Sequence, residues 1–465
     1  MNKHLTRRGL RLSTIEAVGA VIFTAFTTGP FLTGFALHLK ASDNMLGVLA
    51  AIPAIAQVCQ FGGAWVTQQT GRRKRVAAYG ALVGRVLYLP IAVLLFCDFP
   101  ARNTLLAFLI LFALSNSLMQ FAGVAWMSWM SDLVPPRIQG RYYGRRNLWL
   151  GLVTILATYA AGRYMDHAKL GGWELAGYRN LYLAAAACGF YCLLMLLRQP
   201  EPPYHPEPMP GWHFIVLPFR NPAFRKLMIF NVYWLFSVNI AAPFFTPHLM
   251  KYMHWSYSQL ALLGIIFTVA AGFAHYLWGG VLDRWGKRPV LILTSLGIFA
   301  LPHTYLWCRY DWTLPIQLNA VTGGILWSGW GLAMFVLMQQ LVPANGRPAF
   351  FAMWAAISGL ANFFAGIAGG KIAHALGGMT LEWRGLHLNH YQMVFLLSIL
   401  VRIPGLFLLL GIHDPSAQPV GRLVRGAFDW MSRQTRSFTS TYGYLGGRLR
   451  QDNRANPPDE GAGGF

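Results

Sequence analysis

One short charged segment holds the residues whose types and spacing are best suited to chemistry. It begins at Gly279 and contains Asp283, followed by Arg284, Lys287 and Arg288. A carboxylate here can bind the positive N-terminal end of a neighbouring helix, while basic side chains pair with other carboxylates. The chemistry indicated is reversible electrostatic contact, because no acid/base pair, nucleophile elbow or metal-ligand cluster falls on facing segments. We therefore expect no enzyme, no metal site and no cofactor.

A less complete copy of this segment lies earlier in the chain. It ends in Gly71, Arg72 and Arg73, which match the later Gly286-Lys287-Arg288. However, Gln68 stands where an aspartate is expected. An amide accepts hydrogen bonds but carries no charge, so the earlier copy is expected to form the weaker contact.

A third charged segment covers residues 132–147 and carries several arginines. We expect Asp132 to pair with Arg141, or with Arg72 and Arg73. The alternative is that these arginines only set the orientation of the chain in a membrane.

The composition indicates which elements must position these segments. Hydrophobic residues make up 55% of the 465-residue chain and charged residues only 12%, against about 25% charged in soluble domains. This predicts an all-α membrane protein that crosses the bilayer many times. About twelve apolar runs approach the ~20 residues that a membrane-crossing helix needs. They are 14–38, 45–67, 76–97, 104–131, 147–165, 179–197, 226–250, 257–281, 288–308, 313–341, 349–373 and 389–412.

The distribution of charge predicts how these runs are oriented. In a soluble protein, a net charge of +22 would suggest nucleic acid as a partner. If the N-terminus is cytoplasmic, most of the 38 lysines and arginines fall in inner segments. This positive-inside bias predicts two cytoplasmic termini, in the inner membrane of a bacterium, and makes a nucleic-acid partner unnecessary.

Two repeated six-run halves account for most of the chain. A proline-rich stretch after residue 199 separates them, and Pro-Phe-x-Thr at Pro30 and Leu-Val-Pro at Leu133 recur in order at Pro243 and Leu341. The order and nearly constant spacing predict an internal duplication with parallel halves. The expected domains are 1–198 and 226–412, with a cytoplasmic linker at 199–225 and a basic cytoplasmic tail at 413–465.

The Gly279–Arg288 segment resembles the best-known motif of the major facilitator superfamily, a glycine followed by Asp-Arg-x-Gly and two basic residues. The resemblance covers both halves, about residues 14–412. It implies a twelve-helix carrier in which Asp283 faces the fifth helix of its own half, near Arg347, and helps to hold the inner side shut. The expected gating residues are Gly279, Asp283, Arg284, Gly286, Lys287, Arg288, Gln68, Gly71, Arg72, Arg73, Asp132 and Arg141.

The resemblance also implies that the first, second, fourth and fifth helices of each half surround a cavity for solute. Polar residues on these helices are candidates for its wall, although each such residue can equally bond to a neighbouring helix. The candidates are Thr27, Pro30, Asn116, Gln120, Asn231, Asn239, Thr246, His275, Asn319, Trp330, Ser358 and Asn362.

Coupling to protons has few candidates in this sequence. Glu16 is the most intramembrane of the 16 acidic residues, and His275 can titrate. Arg85 and Arg402 also fall inside apolar runs. We expect each of them to extend to the membrane surface or to bond carbonyls freed by Pro90 and Pro404, and not to bind substrate.

The remaining expectations concern partners and alternatives. The tail from residue 413 has an apolar and a basic face, which predicts a helix on anionic lipid of the inner leaflet, with docking of a partner protein as the alternative. The leading function is a monomeric secondary transporter of a small-molecule solute. The alternative is a non-transporting assembly factor or sensor with the same fold, because fold alone does not establish function.

Overall fold

The computed structural model is almost entirely helical and describes residues 3–96, 99–135, 138–203, 219–308, 312–341, 347–377, 379–383, 386–412 and 414. Eleven helices in this part of the chain are long and apolar enough to cross a membrane. A further helix, Gln139–Leu170, is 32 residues long, but charged residues flank its apolar centre and lower its mean hydropathy. It occupies the place of the fifth predicted run, so the structure contains the predicted twelve helices.

The first six helices follow the predicted runs but extend beyond several of them. Gly29 has φ of 63°, which only glycine adopts easily, and it divides the first helix directly before Pro30. The helices are α1 (Lys3–Thr27 and Gly29–His38), α2 (Asp43–Ala56 and Cys59–Thr70), α3 (Arg73–Val86 and Tyr88–Leu94), α4 (Ala101–Leu133), α5 (Gln139–Leu170) and α6 (Glu174–Arg198).

The second six helices repeat this arrangement, with interruptions at the corresponding places in α7 and α9. They are α7 (Pro222–Asn239 and Phe245–Lys251), α8 (Tyr257–Trp285), α9 (Lys287–Ala300 and Thr304–Trp307), α10 (Leu314–Leu341), α11 (Arg347–Ala375) and α12 (His390–Leu408). Short 3-10 turns at Ala242–Phe244 and Leu301–His303 bridge the interruptions, and a third turn, Leu409–Gly411, extends α12. A small antiparallel hairpin, β1 (Leu381–Trp383) and β2 (Leu386–Leu388), precedes α12.

Consecutive helices alternate in direction, so the bundle has two faces. We call the face that carries Arg73, Lys74, Lys287 and Arg288 the basic face. We call the opposite face, which carries Asp43, Glu174, Tyr257 and His390, the closed face. Most of the linker lies outside the described residues, as do His413 and residues 415–465 of the predicted tail.

Each half is tied together at the basic face by a carboxylate that caps its third helix. Glu201, which follows α6, accepts a hydrogen bond from the backbone N–H of Lys74 at the start of α3 (3.1 Å). Asp414, which follows α12, accepts one from the backbone N–H of Lys287 at the start of α9 (2.8 Å). Lys287 matches Arg72 in the sequence repeat, so the two caps fall at nearby but not identical positions. Both place a negative charge at the positive N-terminal end of a helix.

Candidate functional site

A helix cap at the closed face joins the two halves. The Asp166 carboxylate near the end of α5 accepts hydrogen bonds from the backbone N–H groups of Tyr257 (2.7 Å) and Ser258 (3.0 Å) at the start of α8. These N–H groups have no partner within their own helix, and the negative charge faces the positive end of the helix dipole. The contact joins the first half to the second.

A second carboxylate stands beside this cap. Glu174 at the start of α6 accepts a hydrogen bond from the Tyr257 hydroxyl (2.6 Å) and lies 3.3 Å from the ring of His38. The Tyr257 hydroxyl also contacts the hydroxyl of Tyr178. One aromatic side chain of the second half thus inserts into a polar pocket formed by α1 and α6 of the first half.

A third carboxylate joins the halves on the other side of the closed face. Asp43, the first residue of α2, accepts a hydrogen bond from the Tyr391 hydroxyl (2.6 Å). It also lies 3.2 Å from Nε2 of His390 and 3.9 Å from Nζ of Lys251. The three groups come from α7 and α12, so this carboxylate holds two helices of the second half.

In these contacts the acceptors and the donors lie in different halves. The three carboxylates, Asp43, Asp166 and Glu174, belong to the first half, and the groups that reach them across the boundary belong to the second. Charge-assisted hydrogen bonds of this kind are stronger than neutral ones. They are also reversible, because each partner regains hydrogen bonds with water when the face opens.

Small residues let α2 and α11 approach closely below this polar layer. A Cβ atom added at Gly47 of α2 would strike the backbone of Gly366 and Gly370 in α11, and one at Gly359 would strike the carbonyl oxygen of Ala54. Close packing of small residues is a common way for membrane helices to associate. The contact occupies the half of α2 nearer to the closed face.

The basic face is different, because the hydrogen bonds and ion pairs described for the predicted gating residues there lie within one half. Asp283 and Arg284 are exposed, and no hydrogen bond or ion pair of Asp283 is found among the described residues. The side chain of Arg347, which the resemblance placed nearby, lies outside them. Gly279 has open space around it, and Gly286 adopts φ of 92° between α8 and α9. Lys287 and Arg288 donate their backbone N–H groups to Asp414, within their own half.

The first-half copy also makes its contacts within its own half. The fully buried Arg73 donates from Nη1 to the carboxylate of Asp132 (2.5 Å), one of the predicted pairings. Gln68 is half-buried, and its amide oxygen has no hydrogen-bond partner among the described residues. Gly71 ends α2 with φ of 63°, and Arg72 is exposed. The Arg141 side chain lies outside the described residues.

A cavity of about 600 Å³ opens within the second half. Four predicted wall residues line it: Pro30, Asn239, Thr246 and Asn319. Aliphatic and aromatic side chains form most of the remaining wall, and Arg402 also contributes. The volume falls in the range of about 300–1,000 Å³ typical of sites for small organic ligands.

The other predicted wall residues lie outside this cavity, and most bond within their own half. Gln120 accepts a hydrogen bond from Gln60 (2.8 Å), Asn231 donates to Ser358 (2.7 Å), and Asn239 donates to Asn362 (2.9 Å). The remaining side chains bond to their own helix or pack in the core: Thr27 to the Phe23 carbonyl, Asn116 to the Phe112 carbonyl, His275 to the Ala271 carbonyl, and Trp330 against Trp327.

Comparison with known proteins gives this architecture a family. The family model described as Major Facilitator Superfamily matches residues 17–241 and 227–448, one match for each half. The chain belongs to the major facilitator superfamily. No protein in a curated set matches it by sequence.

Solved superfamily structures share the fold at low sequence identity. A mutant form of the nucleoside transporter NupG is 16% identical, with 88% of this chain and 99% of that chain covered and a TM-score of 0.67. A bacterial homolog of the human lysosomal transporter Spinster, inward-facing and occupied, is 13% identical, with 86% and 96% covered and a TM-score of 0.65. The inward-open xylose transporter XylE from E. coli is 16% identical, with 90% and 98% covered and a TM-score of 0.58.

Two membrane arginines of this superfamily member differ from the sequence-based expectation. Arg85 does not reach the membrane surface; its Nη1 lies 3.5 Å from Oε1 of Glu16, and both side chains are buried. Arg402 is only 2% exposed and donates to the Ile298 carbonyl and the Ser398 hydroxyl. Neither acceptor is a carbonyl freed by Pro404. The expected extension to the membrane surface is therefore wrong for both arginines, while the expectation that neither binds substrate is not tested by these contacts.

The residues that join the halves were mostly missed in the sequence. Asp43, Glu174, Tyr257, His390 and Tyr391 all stand within the first two residues of a helix. These residues mark the starts of four helices. The helix starts meet only when the two halves of the superfamily fold pack together, so no local motif identifies them. The available signal was positional: polar residues gathered at the starts of even-numbered helices.

Proposed function

We propose that this superfamily member is a secondary transporter that moves a small solute by alternating access. The observation that carries the proposal is the division of contacts at the closed face. Three carboxylates of the first half meet donors of the second, whereas the polar contacts described for the predicted gating residues of the basic face lie within one half. This division supports a closed face that is held shut by reversible polar contacts and a basic face that can part.

Exposure along the helices that face each other across the boundary supports an open basic face. α5 and α8 pack together at the closed face, where Gly162 meets the backbone of Ser258. Towards the basic face, Tyr276 lies about five turns from Ser258 on the same face of α8, and it is 69% exposed. This exposure supports a separation of α8 from the first half towards the basic face.

We infer that the basic face is cytoplasmic, which makes the described state inward-facing. The positive-inside bias supports this orientation, in which both termini lie in the cytoplasm of a bacterial cell. Labelling with an impermeant maleimide in intact cells tests it. We expect Leu170→Cys at the closed face to react and Gln340→Cys at the basic face to react only after lysis. The reverse pattern contradicts the orientation.

Alternating access can be tested before the solute is known. In a background without native cysteines, spin labels at Leu170 and Leu262 report on the closed face, and labels at Gln69 and Gln340 report on the basic face. These four side chains are exposed. Replacing Asp43 and Asp166 together by asparagine is expected to lengthen the first distance and shorten the second. Opposite changes in the two distances support a rocking motion; unchanged distances in both pairs contradict it.

A further inference from the structure

Arg402 carries a buried positive charge that the fold does not neutralise. Its Nη1 donates to the Ile298 carbonyl (2.8 Å) and its Nη2 to the Ser398 hydroxyl (3.1 Å). Its Nε is buried and has no hydrogen-bond partner. Among the described residues, no carboxylate lies within ion-pair distance of this guanidinium. Both bonded partners are neutral oxygens, so they satisfy part of its hydrogen bonding but none of its charge.

The contrast with the other buried arginines is direct. Arg73 pairs with Asp132, and Arg85 pairs with Glu16. An ionised side chain within a membrane is costly, and such side chains usually pair with one another or mark a path for substrate. A guanidinium without a counter-charge in a low-dielectric region attracts an anion strongly. Arg402 is therefore placed to receive a negative charge that the described residues do not supply.

The surroundings of Arg402 restrict the kind of anion. It lies in the wall of the 600 Å³ cavity, whose aromatic lining is Phe245, Phe267, Tyr305 and Trp327. The amide groups of Asn239 and Asn319 already donate to protein oxygens. A highly hydroxylated solute would meet few polar partners on these apolar walls, whereas an apolar body would bury its surface favourably.

We propose that this cavity binds an organic monoanion with an aromatic or similarly rigid apolar body, and that its carboxylate binds Arg402. The inference rests on the proposed transport function and names its substrate class. A guanidinium matches the planar geometry of a carboxylate. The rings of the wall supply the contact area for the body of the solute.

Calorimetric titration of the purified full-length protein tests this assignment. The probes are naphthoate and its neutral analogue naphthamide, which differ chiefly in charge. Hydrogen bonds to charged groups are stronger than neutral ones, so we expect naphthoate to bind at least about tenfold more tightly than naphthamide. Arg402→Gln is expected to abolish this difference, and Arg402→Lys to retain part of it.

A second pair of variants tests the cavity without changing the charge. Gly264 of α8 lines the cavity, and a Cβ atom there would meet nothing within 4 Å. Gly264→Leu should therefore fill the cavity and weaken binding of both probes. Gly272, two turns further along the same helix, has equally open surroundings but does not line the cavity. Gly272→Leu is the matched control and should bind both probes normally.

Three results would overturn the inference: equal affinity for naphthoate and naphthamide, a preference for naphthoate that survives Arg402→Gln, or no binding of either probe. A loss of folding in Arg402→Gln would appear as a lowered melting temperature. In that case Arg402→Lys and Gly264→Leu decide the question. None of these results affects the proposed alternating access, which the paired label distances test without any ligand.

Discussion

The carboxylate of Asp166 caps the N-terminal end of the helix that begins at Tyr257, with an oxygen 2.7 Å from that residue's backbone nitrogen. The two residues belong to different halves of the molecule. This carboxylate–helix contact is the arrangement that the sequence led us to expect of Asp283, but it occurs on the opposite face and between the halves.

Asp166→Asn should favour opening of the closed face. The substitution keeps the size of the side chain but removes the charge that faces the α8 dipole, a loss of about 1–2 kcal/mol in such a geometry. The distance between labels at Leu170 and Leu262 should shift towards longer values. The control is Glu382→Gln, since Glu382 pairs with His387 in the exposed hairpin and does not join the halves. An equal shift in the control would contradict a specific role for Asp166.

Tyr391→Phe should also favour opening, by about 1.5–3 kcal/mol, because it removes one hydrogen bond to the charged Asp43 carboxylate. The matched control is Tyr233→Phe, which removes a hydrogen bond of similar length to the neutral Val401 carbonyl within one half. We expect a loss of thermal stability in both variants but a change in label distances only in the first. If both variants change these distances, the effect cannot come from the contact between halves.

Gly47→Leu should prevent the close approach of α2 and α11. The added side chain would meet backbone atoms of Gly366 and Gly370, which cannot rotate away. Overpacking of this kind typically costs about 1–3 kcal/mol, and here separation of the halves relieves it. The expected result is a longer closed-face distance. Gly123→Leu, at a position with open surroundings, should leave that distance unchanged.

Removing one partner of the Glu16–Arg85 pair should destabilise the protein by about 3–5 kcal/mol, because the other charge is left buried and unpaired. The double variant Glu16→Gln with Arg85→Met should recover much of this loss. Thermal unfolding of the three variants gives the comparison. Additive losses in the double variant would show that the two side chains do not act as a pair.

Asp414→Asn should lower the melting temperature by weakening the cap on α9. The expected loss is about 0.3–1 kcal/mol, as for other charges at helix ends. Because the cap lies within the second half, the label distances at both faces should stay unchanged. A change in either distance would mean that Asp414 also influences the relation between the halves.

The overall architecture follows from the sequence because lipid imposes a simple rule. Backbone groups in a bilayer must bond within their own segment, so apolar runs of sufficient length form helices. The duplication was visible in short motifs such as Leu133-Val134-Pro135, which recur because both halves have the same fold. The break at Gly29 has an equally local cause, because its φ of 63° suits glycine and proline follows directly.

The contacts between halves could not be predicted in the same way. Asp43 and Tyr391 are almost the whole chain apart, and each looks like an ordinary polar residue at the start of a helix. The expectation for Arg85 considered only its charge. Its partner Glu16 lies on another helix, and nothing in the local sequence indicates that the two residues pair. The pattern identified polar residues within the membrane, but only tertiary packing determined their partners.

The caps formed by Glu201 and Asp414 each tie the end of a half to the start of its own third helix. Each half is thus fastened at the basic face without help from the other half. Separation of the halves at that face therefore breaks neither cap, so each half can keep its internal structure while the space between them changes.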